Sequence, residues 1–384
     1  MNLLGNILER GVVDVIVKSH LEKSLIEKKK LRVKFGIDPT APGLHLGHAV
    51  LLRKLRELQD LGHKPILIIG DFTAFIGDPS GRDKTRPLLT EKQIKDNMNN
   101  YLAQAGKVLD IKKCEIYHNS EWYKKASAGF FCDLASRVTV QQLLEREDFQ
   151  KRIKGSLDVT LLEVIYPLLQ GYDSVKVKAD LEIGGQDQKF NLLMGRRMQR
   201  SFNLPEQDIM TLKLLVGLDG ERKMSKSYGN IIGLQDEPND MFGKVMAVPD
   251  SALKEYYELT SDLDFNESKP ALKLKEELAF EVVKIYHGPE KAKRASKNWE
   301  AVFRKGEAPE TMEEIKIQDG ENLKQLVYKS GAAASLSESQ RLIEQGAVSL
   351  DGKVLKDWKK KISLKKPAVL KIGKHRFIKL NPLL

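Results

Sequence analysis

Residues 34–48 read KFGIDPTAPGLHLGH. The run Leu31–Ile37, LRVKFGI, alternates apolar and polar side chains and predicts a strand. Asp38-Pro39-Thr40-Ala41-Pro42-Gly43 ends it, because Pro and Gly interrupt regular structure. His45-Leu46-Gly47-His48 then opens a segment with Leu46, Val50, Leu52, Leu55, Leu58 and Leu61 at helical spacing, closed by Gly62. In a parallel α/β sheet a strand–loop–helix of this kind places the loop at the carboxyl ends of the strands, where ligands bind. Free N–H groups at the helix start favour an anion such as a phosphate. His45 and His48 can donate hydrogen bonds to phosphate oxygens. Gly47 has no Cβ, so a base or ribose can come close to the backbone. Taken alone, HxGH fits equally well a capping histidine beside a packed one.

A second motif lies far downstream, Lys223-Met224-Ser225-Lys226-Ser227, between Gly220-Glu221-Arg222 and Tyr228-Gly229-Asn230. It follows the apolar run Leu212–Leu218 and reads as a loop. Two lysines flanked by hydroxyls suit a polyphosphate that departs as charged pyrophosphate. A lone KxxK is usually a solvated loop. HLGH followed by KMSKS is a different matter, and that ordered pair resembles the signature motifs of class I aminoacyl-tRNA synthetases.

Further out, Pro65–Asp71 is a continuous apolar run that fits a strand buried on both faces. A helix from Thr90 to about Gly106, a strand at Cys114–His118, a strand at Lys178–Ile183, a helix from Gly184-Gly185-Gln186-Asp187-Gln188 through Arg197, and a strand at Ile209–Leu215 follow. This alternation predicts an α/β fold, a doubly wound parallel sheet, with residues 1–30 helical. Residues 120–173 are helical by period, an insertion whose apolar face includes Leu134, Val138, Val140, Leu143 and Leu144. Residues 241–299 read as helical and charged, 303–320 as a linker, and the tail as two helices, Leu323–Lys329 and Ser337–Gln345, followed by short strands around an Asp351-Gly352 turn.

The 384 residues leave room for two or three domains. No long uncharged apolar run predicts a membrane span, and the N-terminal stretch is not that of a signal peptide. Cys114 and Cys132 make neither a disulfide framework nor a zinc site, so a cytoplasmic chain is expected. Residues 321–384 hold 14 Lys+Arg and 5 Asp+Glu, a net of 14 − 5 = +9 out of +11 for the chain. Such a tail suggests an appended module for a polyanion.

GIDPTAPGLHLGH, GDPSG, YPLLQGYD, IGGQDQ and KMSKS together resemble bacterial-type tyrosyl-tRNA synthetases over essentially the whole chain. The resemblance implies a Rossmann-like catalytic domain over 1–240 with a helical insertion at about 120–175. It further implies an α-helical anticodon-binding domain over 241–302, a linker over 303–320 and a small α+β S4-like RNA-binding domain over 321–384. Tyr166, Gln170 and Asp173 fall at i, i+4 and i+7 and share one helix face. A carboxylate at the end of an apolar pocket can accept a phenol O–H, and a ligand lacking the hydroxyl leaves it unpaired.

The resemblance assigns Asp78, Tyr166 and Gln170 to the substrate amino group, Asp173 to its hydroxyl, Gln188 to its carboxylate, and Gly36 to the same tyrosine pocket. It places Asp38, Gly47, Gly185 and Asp187 on the adenylate side, with Met224, Ser225 and Ser227 of KMSKS beside the nucleotide. Thr40, His45, His48, Lys223 and Lys226 would serve the ATP phosphates, with Arg82 and Arg86 nearby. Arg341, Lys353, Lys374 and Arg376 would contact RNA phosphates. Implied partners are tyrosine, ATP with Mg2+, tRNA(Tyr) and a second copy in a homodimer; no protein-bound zinc and no membrane are implied. Many members have a tyrosine where this chain has Lys34, which it shares with one bacterial subgroup. A lysine there could point to solvent or pair with an acidic neighbour.

Overall fold

The alternating run after Leu31 forms strand β2, Arg32–Ile37, and the leucine-rich segment after His45 forms helix α2, Leu46–Asp60. The structure is a computed structural model and describes residues 7–27, 29–80, 88–305, 308, 312–373 and 376–383. With β1 (Val12–Ile16), β3 (Lys64–Ile69), β4 (Glu115–His118), β5 (Leu181–Gly185) and β6 (Asp208–Leu212), β2 builds a six-stranded sheet. The order is β1-β6-β5-β2-β3-β4. Every neighbouring pair is parallel except β1 with β6. The chain winds outward through β3 and β4, then returns and winds the other way through β5 and β6. The reversal falls between β2 and β5, the point at which an open parallel sheet leaves a crevice at its carboxyl ends.

The expectation that residues 1–30 are helical is corrected by β1 and the helix α1, Lys18–Ile26. The β-branched run Val12-Val13-Asp14-Val15-Ile16 finds its partner in β6, some 190 residues away in sequence, so no local period announces it. The expected helix over Thr90–Gly106 is two short helices, Glu91–Met98 and Tyr101–Ala105, because Asn100 turns left-handed at φ 68°.

The insertion is helical, with Ala128–Ser136, Val140–Leu143, α3 (Glu147–Lys154) and α4 (Leu161–Val177). A capping box starts α4: the Glu163 N–H donates to Thr160 Oγ1 at 3.3 Å, and Thr160 N–H donates to Glu163 Oε2 at 2.9 Å. The same carboxylate holds buried Arg152 of α3 through two hydrogen bonds of 2.8 and 3.0 Å. Helix α4 lies on α5, Lys189–Ser201, and its residues Tyr166, Gln170 and Asp173 line the cavity at the sheet's carboxyl ends.

By its contacts the chain divides into two units, Met1–Asp236 with Lys244–Leu278, and Glu237–Gly243 with Ala279–Leu384. The sheet just described belongs to the first. The second contains α6 (Pro289–Trp299) and, nearer the C-terminus, β7 (Glu313–Ile317), α7 (Leu323–Lys329), α8 (Leu336–Glu344), β8 (Val348–Leu350), β9 (Lys353–Val354), β10 (Ala368–Ile372) and β11 (Arg376–Pro382). These strands form a five-stranded sheet in the order β9-β8-β10-β11-β7. The linker expected at 303–320 is therefore corrected: Glu313–Ile317 pairs in parallel with β11, and Ile317 sits in the tail's own core with Leu326, Ile343, Leu370 and Ile378. Three charges in EEIKI mask its strand character, because β7 buries only Ile317 fully.

A Cβ at Gly171 of α4 would come within 2.8 Å of Met198 Cγ and 3.0 Å of the Met194 carbonyl oxygen of α5. Gly171→Ala is expected to push the two helices apart and destabilise the fold by about 1–3 kcal/mol. A urea melt with an unchanged slope and a lowered midpoint would show it; an unchanged midpoint would mean the helices are not locked at this point.

Candidate active site

The carboxyl ends of β2, β3, β5 and β6 meet over one cavity of about 700 Å³. Among the expected residues it gathers Gly36, Asp38, Thr40, His45, Gly47, His48, Asp78, Tyr166, Gln170, Asp173, Gly185, Asp187, Gln188 and Lys223–Ser227. Arg82 and Arg86 lie outside the described residues. A Cβ built on Gly36 would meet nothing within 4 Å, so the end of β2 opens directly onto the cavity.

Two backbone connections bring the motifs together. The Leu46 N–H donates to the Ile232 carbonyl at 3.0 Å and the Leu234 N–H to the Leu44 carbonyl at 2.9 Å, an antiparallel bridge around His45 and Gly233. The start of α2 is thus tied to the chain just after KMSKS. That loop is held from inside by Asn230, which accepts from the Ser225 N–H at 2.8 Å and donates to Asp219 at 2.9 Å. The Met224 N–H is fixed on the Leu215 carbonyl at 2.7 Å.

At the HLGH and KMSKS end, the cations among the described cavity residues are lysines. The ring centroids of His45 and His48 are 4.0 Å apart, and His48 Nδ1 accepts from the His45 N–H at 3.4 Å, which leaves the proton on Nε2. Burial, with Lys226 opposing a charge, lowers His48 to about 4, and burial lowers His45 further still. Both rings are neutral at pH 7 and act as N–H donors. His45 Nδ1 is buried and unpartnered. Lys226 Nζ rests on the carbonyls of Ala41, Pro42 and Gly43, and burial lowers it to about 8. Lys223 Nζ pairs with Asp187 at 2.5 Å.

The opposite end is lined by carboxylates, each wrapped in donors. Tyr166 O–H donates to Asp38 at 2.9 Å and Thr73 O–H at 2.8 Å; burial still raises Asp38 to about 7. Asp78 accepts from Gln188 at 2.6 Å, from the Ser80 hydroxyl at 2.7 Å and from Asn191 at 3.3 Å. The turn reading of GDPSG also holds, since the Ser80 N–H donates to Asp78 at 3.0 Å. Asp173 accepts from Trp122 at 3.0 Å, Tyr123 at 3.0 Å and Asn119 at 3.3 Å, and burial raises it to about 6.

Sequence reasoning missed this supporting layer. Asn119 is fully buried and joins Thr73 to Asp173. Arg146 reaches Asn191 at 2.8 Å and Ser80 at 3.0 Å, bracing the cradle of Asp78. None of these residues sits in a recognisable motif. The Trp122-Tyr123 pair directly after a strand was the one available signal.

In the tail, Arg341 and Lys353 are exposed, and Arg341 faces Glu338 at 3.6 Å. Arg376 is engaged by Glu313 and the Ser330 carbonyl, and Lys374 lies outside the described residues.

Residues 27–304 match the class I tRNA synthetases of the W and Y group, and residues 321–365 match the S4 domain. The chain belongs to this class I tRNA synthetase family. A tyrosine–tRNA ligase of Thermotoga maritima is 44% identical over 98% of this chain and 96% of its own, and one of Bordetella pertussis is 45% identical over 98% and 95%. The solved tyrosyl-tRNA synthetase of Archaeoglobus fulgidus, complexed with L-tyrosine, shares the fold at a TM-score of 0.61 and 21% identity, covering 77% of this chain and 98% of its own. A C-terminally truncated mitochondrial tyrosyl-tRNA synthetase of Aspergillus nidulans does so at 0.66 and 21%, covering 78% and 94%.

Asn230→Ala removes the internal anchor of the synthetase's KMSKS loop. Trypsin is expected to cleave after Lys223 or Lys226 several-fold faster in the variant, because cleavage needs local opening. Equal rates would show that the loop is held by other contacts.

Proposed function

We propose that the chain is a tyrosine–tRNA ligase. It activates L-tyrosine with ATP to tyrosyl-adenylate and pyrophosphate, then transfers tyrosine to the 3′ end of tRNA(Tyr). The observation that carries this reading is a single cavity with HLGH and KMSKS at one end and Asp173 at the other. Tyrosine-dependent exchange of pyrophosphate into ATP tests it; exchange driven by tryptophan instead would assign the other branch of the family.

The substrate ammonium meets the acidic group formed by Asp78, Tyr166 and Gln170, with Gln188 near the carboxylate. The phenol O–H donates to Asp173. Asp38, Gly47, Gly185 and Asp187 line the adenosine side. The tyrosine carboxylate attacks the α-phosphorus and pyrophosphate leaves. No side chain acts as a nucleophile. His45 and His48 donate N–H bonds to phosphate oxygens, while Lys223 and Lys226 exchange protein oxygens for the departing pyrophosphate. Mg2+ is read as entering on ATP. Thr40 joins this end, and Arg82 and Arg86 are assigned to it from sequence alone.

The catalytic domain, helical domain and S4-like tail are read as successive domains, with the tail beginning at β7. Arg341 and Lys353, exposed on α8 and the β8–β9 hairpin, are assigned to tRNA phosphates, which position without specifying sequence. Val140, Leu157, Leu161 and Leu162 of the insertion are exposed, and a second copy of the chain is the partner proposed for them. No described helix is long and apolar enough to cross a membrane, and a cytoplasmic location is proposed.

His48→Ala and Lys226→Ala are each expected to slow adenylate formation by about 10²–10³-fold while leaving tyrosine affinity nearly unchanged, because both groups serve charge that develops in the transition state. Single-turnover adenylation beside tyrosine titration measures both quantities; unchanged rates in the two variants would remove the mechanism.

Every residue lining the cavity precedes Pro238, whereas the tail has its own core. Deleting residues 306–384 is expected to preserve pyrophosphate exchange, abolish efficient tRNA charging and flatten the salt dependence of tRNA binding. Undiminished charging would make the basic tail a solubilising surface.

A further inference from the structure

Lys34 does not point to solvent. The parallel register of β2 and β5 sets it opposite Glu182, and both residues are essentially unexposed. Its Nζ lies 2.8 Å from Glu182 Oε1, 2.8 Å from Ser174 Oγ and 2.9 Å from the Gln170 carbonyl oxygen. The ammonium donates to the Ser174 hydroxyl and the Gln170 carbonyl, and the Glu182 carboxylate is its ion-pair partner. The second Glu182 oxygen accepts from the Ser174 hydroxyl at 3.1 Å and from Gln207. The network is closed, yet Lys34 and Glu182 both form part of the cavity wall.

A lysine so engaged cannot donate to a ligand without losing an existing bond. What it delivers to the cavity is charge. The carboxylate that receives it is Asp173, which lies on α4 between the two residues that Lys34 bonds, Gln170 and Ser174, and lines the same cavity; there Lys34 is the foremost influence opposing burial. The other ionisable groups facing Asp173 are Tyr123 from the segment after β4, Asp38 from the end of β2 and Tyr166 from its own helix. Glu182 stands behind Lys34 on β5.

We propose that the Lys34–Glu182 pair is a specificity device acting through Asp173. Lys34 keeps the Asp173 carboxylate ionised, so that it accepts a hydrogen bond from a ligand phenol, and Glu182 fixes Lys34 while damping its charge. This rests on the tyrosine reading above. Lys34 and Glu182 are positioning residues, and neither touches the reacting atoms. Phenol recognition is then a single acceptor bond tuned from behind, in place of a second side chain contacting the hydroxyl.

The test is pyrophosphate exchange driven by tyrosine and by phenylalanine across about pH 5 to 8, reported as the ratio of the two kcat/KM values. Phenylalanine has no hydroxyl, so groups such as Asp38 that act on both substrates cancel in the ratio. In the unaltered enzyme the ratio rises with pH through about 6, as Asp173 ionises. The double substitution Lys34→Met/Glu182→Gln keeps the side-chain volumes and orphans no ion. It is expected to move the rise to higher pH by about one unit, an approximately tenfold loss of discrimination below the new midpoint. Glu182→Gln alone unmasks Lys34 and moves the rise to lower pH. A packing role alone would move neither profile. Unmoved profiles, or shifts in the same direction, overturn the proposal. Should the double variant fail to fold, Lys34→Gln/Glu182→Gln, which also orphans no ion, is expected to move the rise to higher pH in the same way, and an unmoved rise there overturns the proposal. Absence of tyrosine-dependent exchange in the unaltered enzyme overturns the tyrosine reading and is visible before any variant is made.

Discussion

Holding Asp38, Asp78 and Asp173 around one cavity, partly or wholly removed from water, is the constraint on which the rest of the site depends. A carboxylate removed from water loses solvation that only donors or cations can replace. Each of the three has a separate donor set, drawn from different parts of the chain. Asp38 is served by Thr73 and Tyr166, Asp78 by Ser80, Gln188 and Asn191, and Asp173 by Asn119, Trp122 and Tyr123. Lys34 supplies a cation but spends its hydrogen bonds on Glu182, Ser174 and Gln170. Its charge still reaches Asp173, whereas the donors that serve Asp38 and Asp78 are all neutral.

That arrangement explains why the insertion after β4 belongs to the site and is more than packing. Asn119, Trp122 and Tyr123 lie where the parallel sheet ends and the insertion begins, and all three converge on Asp173 from α4. Moving α4 by one residue would rotate Asp173 away from them by about 100°. The capping box at Thr160 and Glu163, and the close approach at Gly171, hold the register of α4 against α5 and so the position of Asp173.

The strand–helix alternation of the parallel sheet and the motifs were legible because their signals are local. A strand, a Gly/Pro break and a helix start can be read within fifteen residues, and HLGH and KMSKS name chemistry by residue type. What sequence alone could not reveal depends on partners distant along the chain. β1 is a strand because β6 lies open to it, and β7 is a strand because β11 does. The fate of Lys34 was open for the same reason: its choice between solvent and an acid is made by Glu182, 148 residues later, through the register of two parallel strands. Arg146 sits in a charged helical stretch that reads as surface, yet it is buried under Asp78's cradle.

At the HLGH and KMSKS end the balance is reversed. Two neutral imidazoles contribute dipoles, and the only cations among the motif residues are Lys223 and Lys226, both resting on protein oxygens. Neutral histidines suit this place, since charged rings would repel those lysines, and burial already disfavours their protonation. Resting the lysines on Asp187 and on the Ala41–Gly43 carbonyls keeps them ordered without a ligand. Those oxygens are weaker partners for an ammonium than pyrophosphate, which carries several charges. In the proposed reaction the lysines would transfer as negative charge accumulates on the leaving group, and the bridge at His45 and Gly233 ties the chain after the loop to the start of α2. In the proposed reaction the loop would stabilise the transition state more than the bound ATP that precedes it, the condition for binding energy to increase rate.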